Sequence, residues 1–180
     1  MMTNPPVRAD TPKARVVRCE IICRNTRMGR IVCVANQKGG VGKTTTASNV
    51  AAGLAKAGMQ TLLVDLDPQC NATTGLGGVP AKTHPLVSEA ALGENVVSTA
   101  VTNLSLLPGS RSVRDVERIA EQARAGSMVL SNHLSCGLNA WDYCLIDCPP
   151  SLGELTRTAL AGSTEVLMPI QCEYFALEGL

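Results

Sequence analysis

Apolar and polar stretches alternate along the chain in a way that predicts strands and helices in turn. Five short, mainly apolar runs predict strands at residues 31–35, 61–64, 104–107, 143–146 and 166–170. Apolar residues at helical spacing predict helices at residues 44–57, 113–125, 128–138 and 152–161. Residues 68–84 favour a loop, and residues 85–101 fit a short helix and an edge strand. Since the strands lack polar alternation, the pattern predicts an α/β fold with a mostly parallel sheet and helices on both faces.

The first predicted helix has a row of apolar side chains along one face: Ala47, Val50, Ala51 and Leu54. Gly58 follows at the place where a glycine commonly ends a helix. A glycine-rich turn at residues 39–42 comes directly before this helix. The turn is therefore predicted to connect a buried strand to a helix.

Composition narrows the classes of protein that fit this pattern. The chain has 180 residues, of which 45% are hydrophobic and 17% charged, and this balance excludes a mainly disordered protein. Its four aromatic residues are too few for a surface that stacks nucleic-acid bases. No apolar run approaches eighteen residues, so the sequence predicts no transmembrane helix, and we expect no membrane partner.

The first 27 residues differ from the rest of the chain. They contain three prolines and scattered arginines without periodicity, and residues 1–30 carry a net charge of +5. Residues 31–180 carry −4, which gives no strong nucleic-acid footprint. We interpret residues 1–27 as a basic extension, either disordered or upstream of a true start at Met28, and residues 28–180 as one domain.

Eight cysteines raise the question of a metal site, but their spacing does not favour one. Two pairs have three intervening residues, no C-x-x-C pair occurs, and the sequence has only two histidines. Several of the cysteines lie within apolar strand-like runs, where free cysteine behaves as a small hydrophobic residue. Reduced thiols are the preferred interpretation, with an iron–sulfur or zinc site as the alternative.

The segment at residues 37–45, QKGGVGKTT, carries the strongest chemical signal in the sequence. Glycines between a strand and a helix allow backbone amides to wrap a phosphate, and the helix N-terminus favours negative charge. In such a loop Lys43 would reach the β- and γ-phosphates, and the Thr44 hydroxyl would ligate Mg²⁺. The common phosphate-loop pattern has glycine at position 37. Here Gln37 occupies that place, and a second lysine, Lys38, follows it.

Three carboxylates follow the predicted strands. Asp65 and Asp67 come after the strand at 61–64, and Asp147 comes after the strand at 143–146. Parallel strands place their carboxyl ends at one edge of the sheet, where ligands bind. We therefore expect all three acids to lie beside the phosphate loop and to contribute to a magnesium site.

Together, these segments resemble a known family. The runs KGGVGKTT, DLDPQ and IDCPPS resemble the ParA/Soj chromosome and plasmid partition ATPases, within the deviant Walker A group that includes MinD. The run PIQCEYFALEG is similar to the chromosomal branch. The resemblance covers Met28 to Leu180 and implies a P-loop NTPase fold, here incomplete at the C-terminal edge.

The resemblance also implies roles for particular residues. The nucleotide-binding loop would comprise Lys38, Gly39, Gly40, Val41, Gly42, Lys43, Thr44 and Thr45. Lys38 falls on the lysine that reaches the phosphates bound to a partner subunit, and Asp67 falls on the acid that positions the attacking water. These two are the expected catalytic residues. Thr44, Asp65 and Asp147 are the expected metal-binding residues, and Asp147 falls on the Walker B acid.

At the level of the whole protein, the resemblance implies an ATPase that binds ATP and Mg²⁺ and forms an ATP-dependent homodimer. It further implies nonspecific DNA binding, a ParB-type partner that stimulates slow hydrolysis, and a cytoplasmic, nucleoid-associated location. Cys70 departs from the glycine usual after DPQ. Because family members continue beyond the position of Leu180, we expect most of the DNA-binding surface to be missing here. The alternatives are a MinD-like or other cargo-positioning ATPase and a nonfunctional truncated fragment.

Overall fold

The structure, a computed structural model, describes residues 29–84, 92–112, 140–151 and 153–171. Its strands are β1 (Arg30–Val34), β2 (Thr61–Asp65), β3 (Val97–Ser98), β4 (Leu104–Leu107), β5 (Tyr143–Asp147) and β6 (Glu165–Leu167). Its helices are α1 (Lys43–Lys56), α2 (Asn71–Gly75), α3 (Leu92–Asn95) and α4 (Glu154–Ala161). The predicted helices at 113–125 and 128–138, and the basic extension at 1–27, lie outside the described residues.

The six strands form one sheet in the order β3-β4-β2-β5-β1-β6. All neighbouring strands run parallel except β3, which pairs antiparallel with β4 at one edge. The five predicted strands are present within a few residues of their expected bounds. The short helix and edge strand expected within residues 85–101 are α3 and β3.

Apolar side chains pack on both faces of the sheet, as the unbroken apolar strands predict. On one face, alternate residues of the central strands pack against Ala47, Ala51 and Ala55 of α1. On the other face, the intervening residues pack against Leu155 and Ala159 of α4. The predicted α/β architecture, with a mostly parallel sheet and helices on both faces, is confirmed.

The buried face of α1 differs from the predicted one. Alanines four residues apart form the contact with the sheet, whereas Val50 is 37% exposed. Small side chains let the helix lie close to the strands, and the larger Val50 turns toward solvent. Within the described residues, no helix is both long and apolar enough to cross a membrane.

A second difference is α2, which lies inside the segment predicted to be a loop. This helix is only five residues long and begins after Cys70, whose φ is +56°. The buried Asp65 carboxylate accepts a hydrogen bond from the Thr73 amide at 2.8 Å, which stabilises the turn. This bond joins residues eight positions apart. Local composition therefore does not reveal it.

Candidate nucleotide-binding site

The glycine-rich turn lies between β1 and α1, at the carboxyl edge of the sheet. Gly40 and Gly42 have φ angles of +78° and +84°, which side chains rarely adopt. A Cβ atom at either glycine would meet nothing within 4 Å, so the backbone angle, not crowding, requires glycine at both positions. The turn is therefore an open loop of main chain ahead of α1.

The first turn of α1 leaves its amides available for a ligand. Its intrahelical bonding begins with the Thr46 amide, which donates to the Gly42 carbonyl at 2.8 Å. No side chain from the described residues caps this helix, and its first turn contains no acid. Free amides and the helix dipole together favour an anion at this position.

The two lysines of the turn have different surroundings. The Lys43 side chain is buried, and its ammonium donates to the Lys38 carbonyl at 3.0 Å. Lys38, in contrast, is exposed. The Lys43 side chain is thus held within the loop, whereas Lys38 is accessible to solvent.

Polar contacts connect the turn to the segment that follows β6. Asn36 donates to the Pro169 carbonyl at 2.9 Å and accepts a hydrogen bond from the Lys38 amide at 2.9 Å. Gln171 donates to the Gly40 carbonyl at 3.2 Å. The sequence analysis did not identify Asn36 and Gln171 as parts of the site. Each side chain donates to a main-chain carbonyl that is distant in the sequence, and such contacts leave no local pattern.

The three predicted acids do come together at this edge. Asp65 and Asp147 are the last residues of β2 and β5, and they are direct partners in the parallel register. Asp67 lies two residues beyond β2 and is 8% exposed. Even so, across the described ranges no three His, Cys, Asp or Glu side chains gather closely enough to hold a metal ion by themselves.

Asp147 is fully buried, and neither of its carboxylate oxygens has a hydrogen-bond partner. Burial raises its pKa from 3.8 to about 7. The nearby Thr44 hydroxyl opposes this rise in pKa, although it does not meet hydrogen-bond geometry, and Lys43 opposes the rise weakly. The negative charges of Asp65 and Asp67 raise the pKa further. A buried carboxylate without a hydrogen-bond partner is a good site for a cation.

Asp65 is equally buried but has several partners. One of its oxygens accepts the Thr73 amide at 2.8 Å and the Thr73 hydroxyl at 2.6 Å, and the other accepts the Asp67 amide at 3.2 Å. Burial still raises the pKa of Asp65, while the Thr73 bonds oppose the rise. Asp67 in turn accepts the Gln69 amide at 2.8 Å.

Free thiols lie behind the site. Cys33 and Cys148 are buried, with their Sγ atoms 3.3 Å apart, and Cys144 and Cys70 are also buried and free. Burial raises the pKa of Cys144 to about 12, so this thiol stays protonated. For these four cysteines of the described chain, the preferred interpretation as reduced thiols agrees with the structure.

The family model described as the AAA domain matches residues 29–180. This chain belongs to that family. Its matches among curated proteins include the sporulation initiation inhibitor protein Soj of Bacillus subtilis (strain 168), 44% identical over 158 residues. They also include the chromosome partitioning protein ParA of Myxococcus xanthus (strain DK1622), 46% identical over 160 residues. Each match covers 85% of this chain, and the predicted ParA/Soj resemblance is confirmed.

This AAA-domain chain spans only part of those relatives, 62% of the Soj sequence and 56% of the ParA sequence. Among solved structures, it is similar to a cobyrinic acid a,c-diamide synthase from Mycobacterium smegmatis with bound ADP and magnesium. The TM-score is 0.79 at 37% identity, covering 85% of this chain and 64% of that one. A complex of Cyanothece McdA with ATP matches with a TM-score of 0.78 at 25% identity, covering 84% and 60%. The expected nucleotide-binding fold class agrees with these neighbours.

Proposed function

We propose that this chain binds ATP with Mg²⁺ and hydrolyses it slowly, as the nucleotide-binding part of a partition ATPase of the ParA/Soj type. One observation carries the proposal. A loop with two positive-φ glycines holds a buried lysine, Lys43, at the N-terminus of α1, near enough to the unpartnered carboxylate of Asp147 to influence its pKa. A phosphate would satisfy the loop and Lys43, and a magnesium ion would satisfy the Asp147 carboxylate.

The phosphates of ATP would bind along residues 38–45. Main-chain amides of Gly39 to Thr45 and the dipole of α1 favour the negative charge, and Lys43 would meet the β- and γ-phosphates. The contact between the Lys43 ammonium and the Lys38 carbonyl holds the cation within the loop. The bound nucleotides of the structural neighbours support this assignment.

Magnesium would be held by Thr44 and Asp147, with water completing its shell. The orphaned oxygens of Asp147 fit a hard cation, which prefers oxygen ligands and keeps several waters. Held by these residues, magnesium would supply positive charge beside the phosphates. The sequence also predicted Asp65 as a ligand, but its oxygens already accept three hydrogen bonds from the protein.

Asp67 would orient the attacking water. The hydrogen bond from the Gln69 amide fixes one of its carboxylate oxygens, and the side chain remains at the edge of the site. Lys38 is exposed, as is needed to reach the phosphates bound to a partner subunit. ATP would then stabilise a homodimer, because a ligand held between two copies favours their association.

The partners we propose come from the family resemblance. They are nonspecific DNA and a ParB-type DNA-binding protein that stimulates hydrolysis, at the nucleoid in the cytoplasm. The identities of 44% and 46% to Soj and ParA support them.

Calorimetry with the full chain tests the nucleotide proposal. We expect ATP to bind in the presence of MgCl₂, to bind more weakly in EDTA, and to release phosphate slowly. GTP at the same concentration and a Lys43→Ala variant serve as controls. Absence of ATP binding by the folded, unmodified chain would contradict the proposal.

The cobyrinic acid a,c-diamide synthase neighbour suggests a second candidate function, ATP-dependent modification of cobyrinic acid. Its TM-score of 0.79 is as high as that of the McdA complex. Phosphate release stimulated by cobyrinic acid, and not by DNA with a ParB-type protein, would favour this second function.

A further inference from the structure

Thr73 is the centre of a buried hydrogen-bond network next to the proposed site. Its amide and hydroxyl both donate to one oxygen of Asp65, at 2.8 and 2.6 Å. The same hydroxyl accepts a hydrogen bond from the Gly109 amide at 2.8 Å, and the Thr73 carbonyl accepts one from the Gly78 amide at 2.9 Å. Thr73 and Asp65 are both fully buried. The network therefore joins the end of β2, helix α2 and the loop after β4.

The network leads directly to Asp67. The second oxygen of Asp65 accepts the Asp67 amide at 3.2 Å, and the Asp67 carbonyl accepts the Cys70 amide at 2.8 Å just before α2 begins. The main chain around Asp67 is thus held on both sides, by Asp65 before it and by α2 after it.

Close packing keeps the network in one arrangement. A Cβ atom at Gly109 would lie 2.9 Å from the Asp65 carboxylate, and one at Gly78 would lie 3.1 Å from the Thr73 carbonyl. A side chain at Gly109 would displace the Asp65 carboxylate, and one at Gly78 would press on the Thr73 carbonyl.

Asp65 and Asp147 are paired in the register of β2 and β5, but their carboxylates differ in hydrogen bonding. Asp147 has no hydrogen-bond partner for either oxygen, whereas Asp65 accepts three hydrogen bonds. Buried carboxylate oxygens without a protein partner are suited to bind a cation, whereas oxygens that already accept hydrogen bonds are suited to a role within the protein. This contrast separates two acids that the sequence treats alike.

We propose that Asp65 and Thr73 are positioning residues that hold Asp67 in place, and that Asp65 acts through these hydrogen bonds and not as a magnesium ligand. The inference rests on the proposed ATPase function. It assigns Thr73 a part in the reaction, and it leaves Thr44 and Asp147 as the magnesium-binding pair.

Three variants of the full chain test the role of Thr73. Thr73→Val keeps the shape but removes the hydroxyl, and we expect kcat for ATP hydrolysis to fall roughly 10- to 100-fold, the order of loss from a displacement of about 1 Å. The Kd for ATP should stay within about twofold of the parent value, since the variant does not remove a contact to the bound nucleotide. Thr73→Ser, which restores the hydroxyl, should recover most of the lost rate.

Thr74→Val is the matched control, because Thr74 lies next in the same helix but is exposed, and its hydroxyl donates to the nearby main-chain carbonyls of Cys70 and Asn71. It should hydrolyse ATP at the parent rate. Hydrolysis by Thr73→Val at the parent rate, or an equal loss of ATP affinity and rate, would overturn the positioning role.

The magnesium requirement tests the role of Asp65. Asp147→Asn should raise the Mg²⁺ concentration needed for half-maximal ATP binding at least roughly tenfold, as expected when a charged ligand is lost. Asp65→Asn should leave that concentration unchanged while lowering kcat as Thr73→Val does. A raised requirement in Asp65→Asn would make Asp65 a metal ligand and overturn the proposal.

Hydrogen exchange of the unmodified chain provides a test that needs no variant to fold. The amides of Thr73 and Gly109 should be strongly protected, because both donate to buried side-chain oxygens. Rapid exchange at either amide would overturn the network. Failure of the unmodified chain to bind ATP would instead refute the proposed function, with the exchange result still deciding the network.

Discussion

The Lys43 ammonium donates a hydrogen bond to the main-chain carbonyl of Lys38, 3.0 Å away. The bond crosses the glycine-rich loop and keeps the Lys43 side chain buried, with 7% of its surface exposed. Lys38 itself is exposed. Two lysines five positions apart are therefore suited to different tasks, one within the subunit and one at its surface.

Replacing Lys43 with alanine should remove ATP binding. A hydrogen bond to a charged group contributes about 1.5–3 kcal/mol, so calorimetry should show an affinity loss of at least roughly tenfold. Lys56→Ala, at the exposed far end of the same helix, is the control and should bind normally. Unchanged affinity in Lys43→Ala would refute the phosphate-loop interpretation.

Replacing Lys38 with alanine should leave ATP binding in the monomer nearly intact and weaken the ATP-dependent dimer. The expected contact is with phosphates bound to the partner subunit, so its loss affects association. Sedimentation with and without ATP measures the effect. If ATP binding is lost while the dimer persists, the roles of the two lysines are reversed.

Replacing Asp67 with alanine should stop hydrolysis but preserve ATP binding and dimerisation. Orientation of the attacking water matters in the transition state and not for ground-state binding. Single-turnover phosphate release measures the rate, and Glu154→Gln, in α4 on the opposite face of the sheet from α1, provides a control. A normal rate in Asp67→Ala would remove this acid from the mechanism.

The stability of the chain without nucleotide and Mg²⁺ should fall as pH rises from about 4 to about 7. The pKa of Asp147 is about 7 in the folded chain against 3.8 ordinarily, so within this window the folded state holds a proton that the unfolded state has released. The difference corresponds to ~4 kcal/mol at most.

Urea denaturation at pH 5 and pH 8 measures this effect. Asp147→Asn should be less sensitive to pH than the parent chain, while Glu94→Gln, which removes an exposed acid, should not change the sensitivity. Equal pH dependence in Asp147→Asn and the parent would contradict the assignment.

The amides of Asn36 and Gln171 should support ATP affinity. Asn36→Asp keeps the acceptor for the Lys38 amide but loses the donor to Pro169, and Gln171→Glu loses the donor to Gly40. Each lost bond is worth about 1 kcal/mol, so affinity should fall roughly fivefold. Gln60→Glu is the control. It loses a comparable hydrogen bond to Asn103, just before β2, and the ATP affinity of this variant should be unchanged.

The strands and the glycine-rich loop were predictable because their signals are local. An apolar run of four residues identifies β4 to the residue, and glycine at positions 40 and 42 reflects backbone angles set within the loop itself. The strand predicted at 166–170 is shorter in the structure and ends at Leu167. Two residues further on, the Pro169 carbonyl accepts a hydrogen bond from the Asn36 side chain.

The sequence alone determined the alternating order of elements, the phosphate loop and the presence of acids at the ends of β2 and β5. Local spacing and composition suffice for these features. Only the tertiary structure decided that the two acids differ, since Asp65 accepts two hydrogen bonds from Thr73 of α2 and Asp147 has no hydrogen-bond partner among the described residues. Hydrogen bonding of a buried carboxylate depends on which distant amides and hydroxyls the folded chain brings to it, and no local pattern in the sequence records those partners.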